Sequence, residues 1–126
     1  MKAYIDSDIL IWHLRGERKA VHFFQRLSSS GAELWIGALQ RAEVVFFMRP
    51  HEEQGTMSFL SRFRTQPVGS QIVDRGAAMF RKWHKSHGVD INDAILAATV
   101  GETGGQLFTL NVKHYPMPEI NVVKGW

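Results

Sequence analysis

One rhythm constrains this chain more than any other feature. Short apolar runs of strand type recur at Ala3–Asp6, Leu34–Ile36, Leu107–Thr109 and Ile120–Val123, with stretches of helical periodicity between them. Strands separated by helices favour a parallel sheet covered on both faces. The expected fold is therefore α/β: a three-layer α/β/α sandwich around a short, mostly parallel central sheet. In such a sheet, sites gather in the loops beyond the carboxyl ends of the strands.

The helices read as follows. Ser7 or Asp8 caps a short helix over Ile9–Leu14, ended by Gly16. Arg18–Leu27, Gln40–Met48 and Glu52–Arg64 follow, with Val68 a candidate minor strand. Pro50 stops the third of these helices. Ser70 caps a long helix to His87, with Ile72, Ala77, Phe80 and Trp83 as its apolar side and Gly88 as its C-cap. Asp90 caps Ile91–Thr103, which Gly104-Gly105 closes. With 126 residues there is room for one domain, taken as 1–126.

Composition removes several classes of function. No apolar run approaches the roughly 20 residues of a membrane helix, and the acid at position 6 argues against a secretory leader. Cysteine is absent, which excludes disulfide scaffolds, zinc ribbons and thiol catalysis and is compatible with a cytoplasmic location. Of the six histidines, His84 and His87 share a helix end, with no third ligand in view for zinc. Fifteen Lys+Arg against twelve Asp+Glu leave a charge of +3, compatible with a nucleic-acid partner.

The acids are more telling than the net charge. Asp6 ends the first strand, and capping explains Asp8 better than it explains Asp6. Glu43 falls inside the stripe Leu39, Ala42, Phe46, Phe47, where an unpaired carboxylate is costly. A salt bridge, for example to Arg41, is the structural alternative to a functional role. Asp90 and Asp93 stand in the first turn of an alanine-rich helix, where capping and the helix dipole both favour them. Asn111 closes a later strand and offers either an Asx turn or an amide oxygen for a cation. Acids converging from separate segments need a cation to offset their repulsion. All-oxygen donors select Mg²⁺ or Mn²⁺, whose usual chemistry is phosphoryl transfer or phosphodiester hydrolysis.

Four segments then resemble one family. Tyr4–Ile11, with Asp6-Ser7-Asp8, resembles the opening of PIN domains; Leu39–Phe47 resembles their second acidic segment, Asp93–Thr99 their third, and Phe108–Tyr115 their last strand and turn. The order matches and the segments span nearly the whole chain. Length and architecture resemble the VapC-type ribonuclease toxins of toxin–antitoxin pairs. The resemblance implies a Mg²⁺- or Mn²⁺-dependent endoribonuclease. Asp6, Glu43 and Asp93 would be metal ligands and catalytic residues, with Ser7 positioning substrate or water. Asn111 replaces an acid common at the fourth position, and Asp90 could partly compensate. The resemblance further implies a homodimer and a cognate antitoxin inserted into a groove over the acids. Trp12, Phe46, Phe47, Phe59 and Phe63 are candidates to line that groove, although core packing is the commoner role for each. Arg15, Arg18, Lys19 and Arg41 adjoin the acids and are candidate contacts to RNA phosphates.

Two rivals stand beside this reading. Asp6-Ser7-Asp8 also resembles the Asp-x-Asp start of haloacid-dehalogenase phosphatases, but the chain is short for that fold and lacks a late Asp-Asp pair. A non-catalytic PIN-fold interaction module is the other, although such a module needs no buried acids.

Overall fold

The computed structural model describes residues 1–126. Five strands form one sheet: β1 Lys2–Ile5, β2 Glu33–Gly37, β3 Arg64–Gln66, β4 Gln106–Thr109 and β5 Asn121–Lys124. Their order is β3-β2-β1-β4-β5 and every neighbouring pair is parallel. Six α-helices accompany them: α1 Ser7–Leu14, α2 Arg18–Ser29, α3 Ala38–Val45, α4 Glu53–Leu60, α5 Ser70–His87 and α6 Ile91–Thr103. The chain builds outward from β1 to β3, then returns to lay β4 on the other side of β1. That reversal opens a crevice at the carboxyl ends of β1 and β4, where ligands of open α/β sheets bind.

Alternation along the strands divides the core into two layers. Ala3, Ile5, Ile36 and Phe108 join α1, α2, α3 and α4 on one face; Tyr4 and Leu107 join α5 and α6 on the other. The expected three-layer sandwich is what the chain forms. In α6, Ala94, Ala97 and Ala98 are 0–1 % exposed, so small side chains bring the helix close to its neighbours. Gly76 does the same for α5: a Cβ there would stand 3.4 Å from the Ala94 carbonyl and the Ile95 Cα. Gly88 ends α5 at φ +66°, a left-handed position suited to glycine.

Several local expectations give way. The N-cap of α1 is Asp6 itself, not Ser7 or Asp8. Helix α3 covers Ala38–Val45 rather than Gln40–Met48, and the stretch expected as one helix from Glu52 splits into a 3₁₀ turn at Pro50–Glu52 and α4. The minor strand lies at Arg64–Gln66, not at Val68, because pairing with Trp35–Gly37 selects it. Gly69, with no capping side chain, precedes α5; that helix buries Ile72, Gly76 and Met79, while Phe80 and Trp83 are half-buried. In α3 the buried residues are Gln40 and Val44, whereas Phe46 and Phe47 are 82 % and 83 % exposed. Trp12 is exposed as well, while Phe59 and Phe63 are core residues.

Candidate active site

The crevice between β1 and β4 is lined by carboxylates. Asp6 leaves β1 and begins α1, so strand and helix together fix its backbone; its N–H donates to the Phe108 carbonyl across the sheet. Oδ1 accepts from the Ser7 N–H at 2.8 Å, and Oδ2 accepts from Thr109 Oγ1 at 2.9 Å and from the Tyr115 hydroxyl at 2.8 Å. Burial pushes its carboxyl upward, although these three donors oppose the shift.

Asp8, in the first turn of α1, reaches toward the end of β4. Its Oδ1 accepts from the Ile9 N–H at 2.7 Å, and its Oδ2 from the Leu110 N–H at 3.1 Å. Burial and the neighbouring Asp6 charge push it up to about 6. It therefore does more than cap a helix: it ties α1 to β4 and adds a fourth carboxylate.

Glu43 arrives from α3. Its Oε2 accepts from Ser7 Oγ at 3.0 Å and its Oε1 from Asn92 Nδ2 at 3.4 Å. Burial, and then the charges of Asp6 and Asp90, raise it. Arg41 is no partner for it, because that guanidinium donates to Thr65 Oγ1 at 3.3 Å. Asp93, at the start of α6, forms a reciprocal capping box with Asp90 and is pushed up to about 6, mainly by burial. Asp93 Oδ1 lies 3.2 Å from the Tyr115 hydroxyl, and Oδ2 lies 3.3 Å from His114 Nδ1.

Hydroxyls knit these acids together, and each has one proton to give. Tyr115, 4 % exposed, stands between Asp6 and Asp93, and the shorter contact assigns its proton to Asp6. Thr109 stands between Asp6 and Asp8 in the same way while accepting from the Asn111 N–H. The site is thus poor in donors and rich in negative charge. No Lys or Arg lies within 4.0 Å of any of the four acids; the Lys or Arg ion pair of the molecule is Arg75–Glu102.

Of the residues expected from sequence, Asp6, Ser7, Glu43 and Asp93 join in one hydrogen-bonded network with Asp8, Thr109, Tyr115, Asn92 and His114. Asp90 caps α6 and acts on the others through its charge. The Asn111 side chain meets His114 Nδ1 at 3.0 Å and none of the carboxylates. Arg15 lies over the Trp12 ring, and Arg18 and Lys19 begin α2. The lone Asp-Ser-Asp spacing signalled Asp8; nothing local signalled Tyr115.

The oxygen-only donor set, crowded and without a neighbouring Lys or Arg, suits a hard divalent cation. It is not a closed cage: no three of the His, Asp and Glu side chains stand at the mutual spacing of a preformed metal site. The carboxylates would have to draw together from their hydroxyl links.

The PIN domain family model matches residues 3–119, nearly the whole fold just described. The chain belongs to the PIN-domain family. This PIN domain is 37 % identical over 116 residues to a Mycobacterium tuberculosis protein named Ribonuclease VapC10, covering 91 % of the present chain and 86 % of that one. A second M. tuberculosis relative, named Ribonuclease VapC19, is 33 % identical over 114 residues, covering 90 % and 91 %. Among solved structures, a toxin–antitoxin complex from Klebsiella pneumoniae aligns with this PIN domain at a TM-score of 0.77 and 27 % identity over 98 % of both chains. VapBC-1 from nontypeable Haemophilus influenzae shares the fold at a TM-score of 0.80 and 18 % identity, covering 99 % and 98 %.

Proposed function

We propose that this PIN domain is an endoribonuclease of the VapC type, the toxin of a toxin–antitoxin pair. It cuts RNA phosphodiester bonds by attack of water, leaving 5′-phosphate and 3′-hydroxyl ends. The observation that carries the reading is the meeting of Asp6, Asp8, Glu43 and Asp93 in the β1–β4 crevice with no Lys or Arg beside them. Asp6, Glu43 and Asp93 would hold Mg²⁺ or Mn²⁺, with Asp8 alongside. Bound there, the ion supplies a more acidic water and offsets charge building on the phosphate.

The chain's own residues divide the remaining work. Asp6 is locked by three donors and serves as the fixed point of the site. Glu43 and Asp93 are only half-buried and can hold a proton at their outer oxygens. Ser7 orients Glu43, and Tyr115 donates to Asp6 while its oxygen stands 3.2 Å from Asp93.

The antitoxin is read onto the groove beside Glu43. Ile11, Leu14, Arg15, Val44, Phe47 and Met48 line a cleft of about 510 Å³ there. Exposed Phe46 and Phe47 form an apolar patch that suits a partner. Assembly as a homodimer is part of this reading. No helix is long and apolar enough to cross a membrane, and cytoplasmic action on RNA belongs to the same proposal.

The deciding experiment incubates the purified chain with RNA and Mg²⁺, with and without chelator, beside Asp6→Asn. Cleavage that needs the ion and falls at least about a hundredfold in Asp6→Asn is expected. Hydrolysis of small phosphate esters with RNA left intact would overturn the reading in favour of a phosphatase.

A further inference from the structure

The end of α5 is strongly basic. Arg81, Lys82, His84, Lys85 and His87 are all exposed, and none has an acid within 4.0 Å. A helix C-terminus favours cations, but that effect fades beyond the last turn. The last turn contains His84, Lys85 and His87, so Arg81 and Lys82 lie outside it. Arg81 and Lys85 stand four apart on one face, with Lys82 beside them, turned away from the buried row Ile72, Gly76, Met79.

Topology brings this face to the acids. Helices α5 and α6 are antiparallel: Arg75, early in α5, pairs with Glu102, late in α6, at 3.1 Å. The opposite end of the hairpin therefore delivers Gly88–Asp90 to the start of α6, where Asp93 stands. A Cβ on Gly88 would lie 3.9 Å from His114 Nε2, and His114 Nδ1 lies 3.3 Å from Asp93 Oδ2. The basic turns of α5 thus run toward the end of the hairpin that carries Asp93.

We infer that Arg81, Lys82 and Lys85 form a track for the phosphate backbone of single-stranded RNA entering the crevice. The inference rests on the ribonuclease reading above. A polyanion held against four carboxylates needs cationic ground close by, and the end of α5 gathers three such charges. One aromatic ring stands among the charges: Lys82 Nζ lies 5.1 Å from the half-buried Trp83 ring. Of the cations expected to hold phosphates, Arg41 is engaged with Thr65, and Arg15 lines the cleft beside Glu43 that is assigned above to the antitoxin.

The test uses the full chain carrying Asp6→Asn, so that RNA is bound without being cut, and a fluorescein-labelled single-stranded RNA of mixed sequence as the probe. Affinity is measured across a salt series. The combined change Arg81→Gln, Lys82→Gln, Lys85→Gln should shrink the slope of log K against log salt by about 2, since each phosphate contact on a single strand contributes about 0.7. Lys2→Gln, at the opposite end of the sheet, should leave the slope alone. Should the triple variant melt, Lys82→Gln alone should reduce the slope by about 0.7. A folded α5 variant that keeps the parent slope overturns the track and assigns these charges to a protein partner or to the helix itself. An equal fall with Lys2→Gln overturns it too. Cleavage by the chain without Asp6→Asn separates the two readings: if it cuts RNA and α5 proves silent, only the track falls, whereas a chain that neither cuts nor binds RNA ends both.

Discussion

On one side of the sheet the core is aromatic. Phe23, Phe24, Phe59, Phe63 and Phe108 meet mostly edge to face at 5.1–5.8 Å and fill the space between four short helices. His13 stacks on Phe59 at 4.3 Å within this layer, its Nδ1 buried without a hydrogen-bond partner and its ring held toward the neutral form by burial and by Arg62. On the other side, Ala94, Ala97 and Ala98 let α6 sit close to its neighbours. Each layer carries one helical acid to the crevice: α3 brings Glu43 from the aromatic side, and α6 brings Asp93 from the alanine side. The aromatic layer obtains its contact area from volume and leaves the end of α3 proud, with Phe46 and Phe47 in solvent. The alanine layer obtains it from proximity and holds the acid by a capping box and by Tyr115.

That contrast can be broken from either side. Phe24→Ala should lose about 3–5 kcal/mol by leaving a cavity, whereas Ala97→Leu should lose about 1–3 kcal/mol by overpacking; urea denaturation compares the two. If both changes are tolerated alike, the layers are not built differently. Tyr115→Phe keeps the ring but strips Asp6 of its phenolic donor. A loss of about 1.5 kcal/mol near neutral pH is expected, the scale of a hydrogen bond to a charged group, and a parent-like denaturation midpoint would remove the phenol from the account.

Asp93→Asn sharpens the alanine side. The carboxyl is raised from 3.8 to about 6 in the fold, so the folded state binds its proton more tightly than the unfolded chain does. The metal-free protein should therefore lose stability as pH climbs from about 4 to about 6, with no further loss from this group above that range. The amide removes the penalty, because its Nδ2 can donate to the Tyr115 oxygen while its Oδ1 accepts from the Asp90 N–H. With the group only half-buried, a gain of about 1 kcal/mol is expected above pH 6, and melting curves at several pH values check both slope and sign. The smallest effect belongs to the free end of α3: Phe46→Ser with Phe47→Ser should change stability by less than about 0.5 kcal/mol. The same pair should weaken antitoxin binding measured by calorimetry, and unchanged binding would take the patch out of the proposed interface.

Much of the fold was readable because its signals are local. Strand and helix periods located every strand but the third, and the acids stood out as polar residues closing apolar segments. Misreadings came where the deciding neighbour was distant. Phe46 and Phe47 match a helical stripe, but α3 ends at Val45 and no element lies across from them. Asp8 has the spacing of a cap, and only β4 turns it into a member of the site through the Leu110 N–H. Asn111 occupies a position suited to a ligand, yet its side chain turns to His114.

By itself, then, the sequence determined the layered α/β plan and singled out Asp6, Glu43 and Asp93 as candidates, because periodicity and chain position are properties of neighbours in the chain. Tertiary structure alone decided how those acids are held. Thr109 and Tyr115 reach Asp6 from 103 and 109 residues away, and the pairing of β1 with β4 puts them there. Burial and shared protons depend on what lies across a crevice, and no local pattern encodes that.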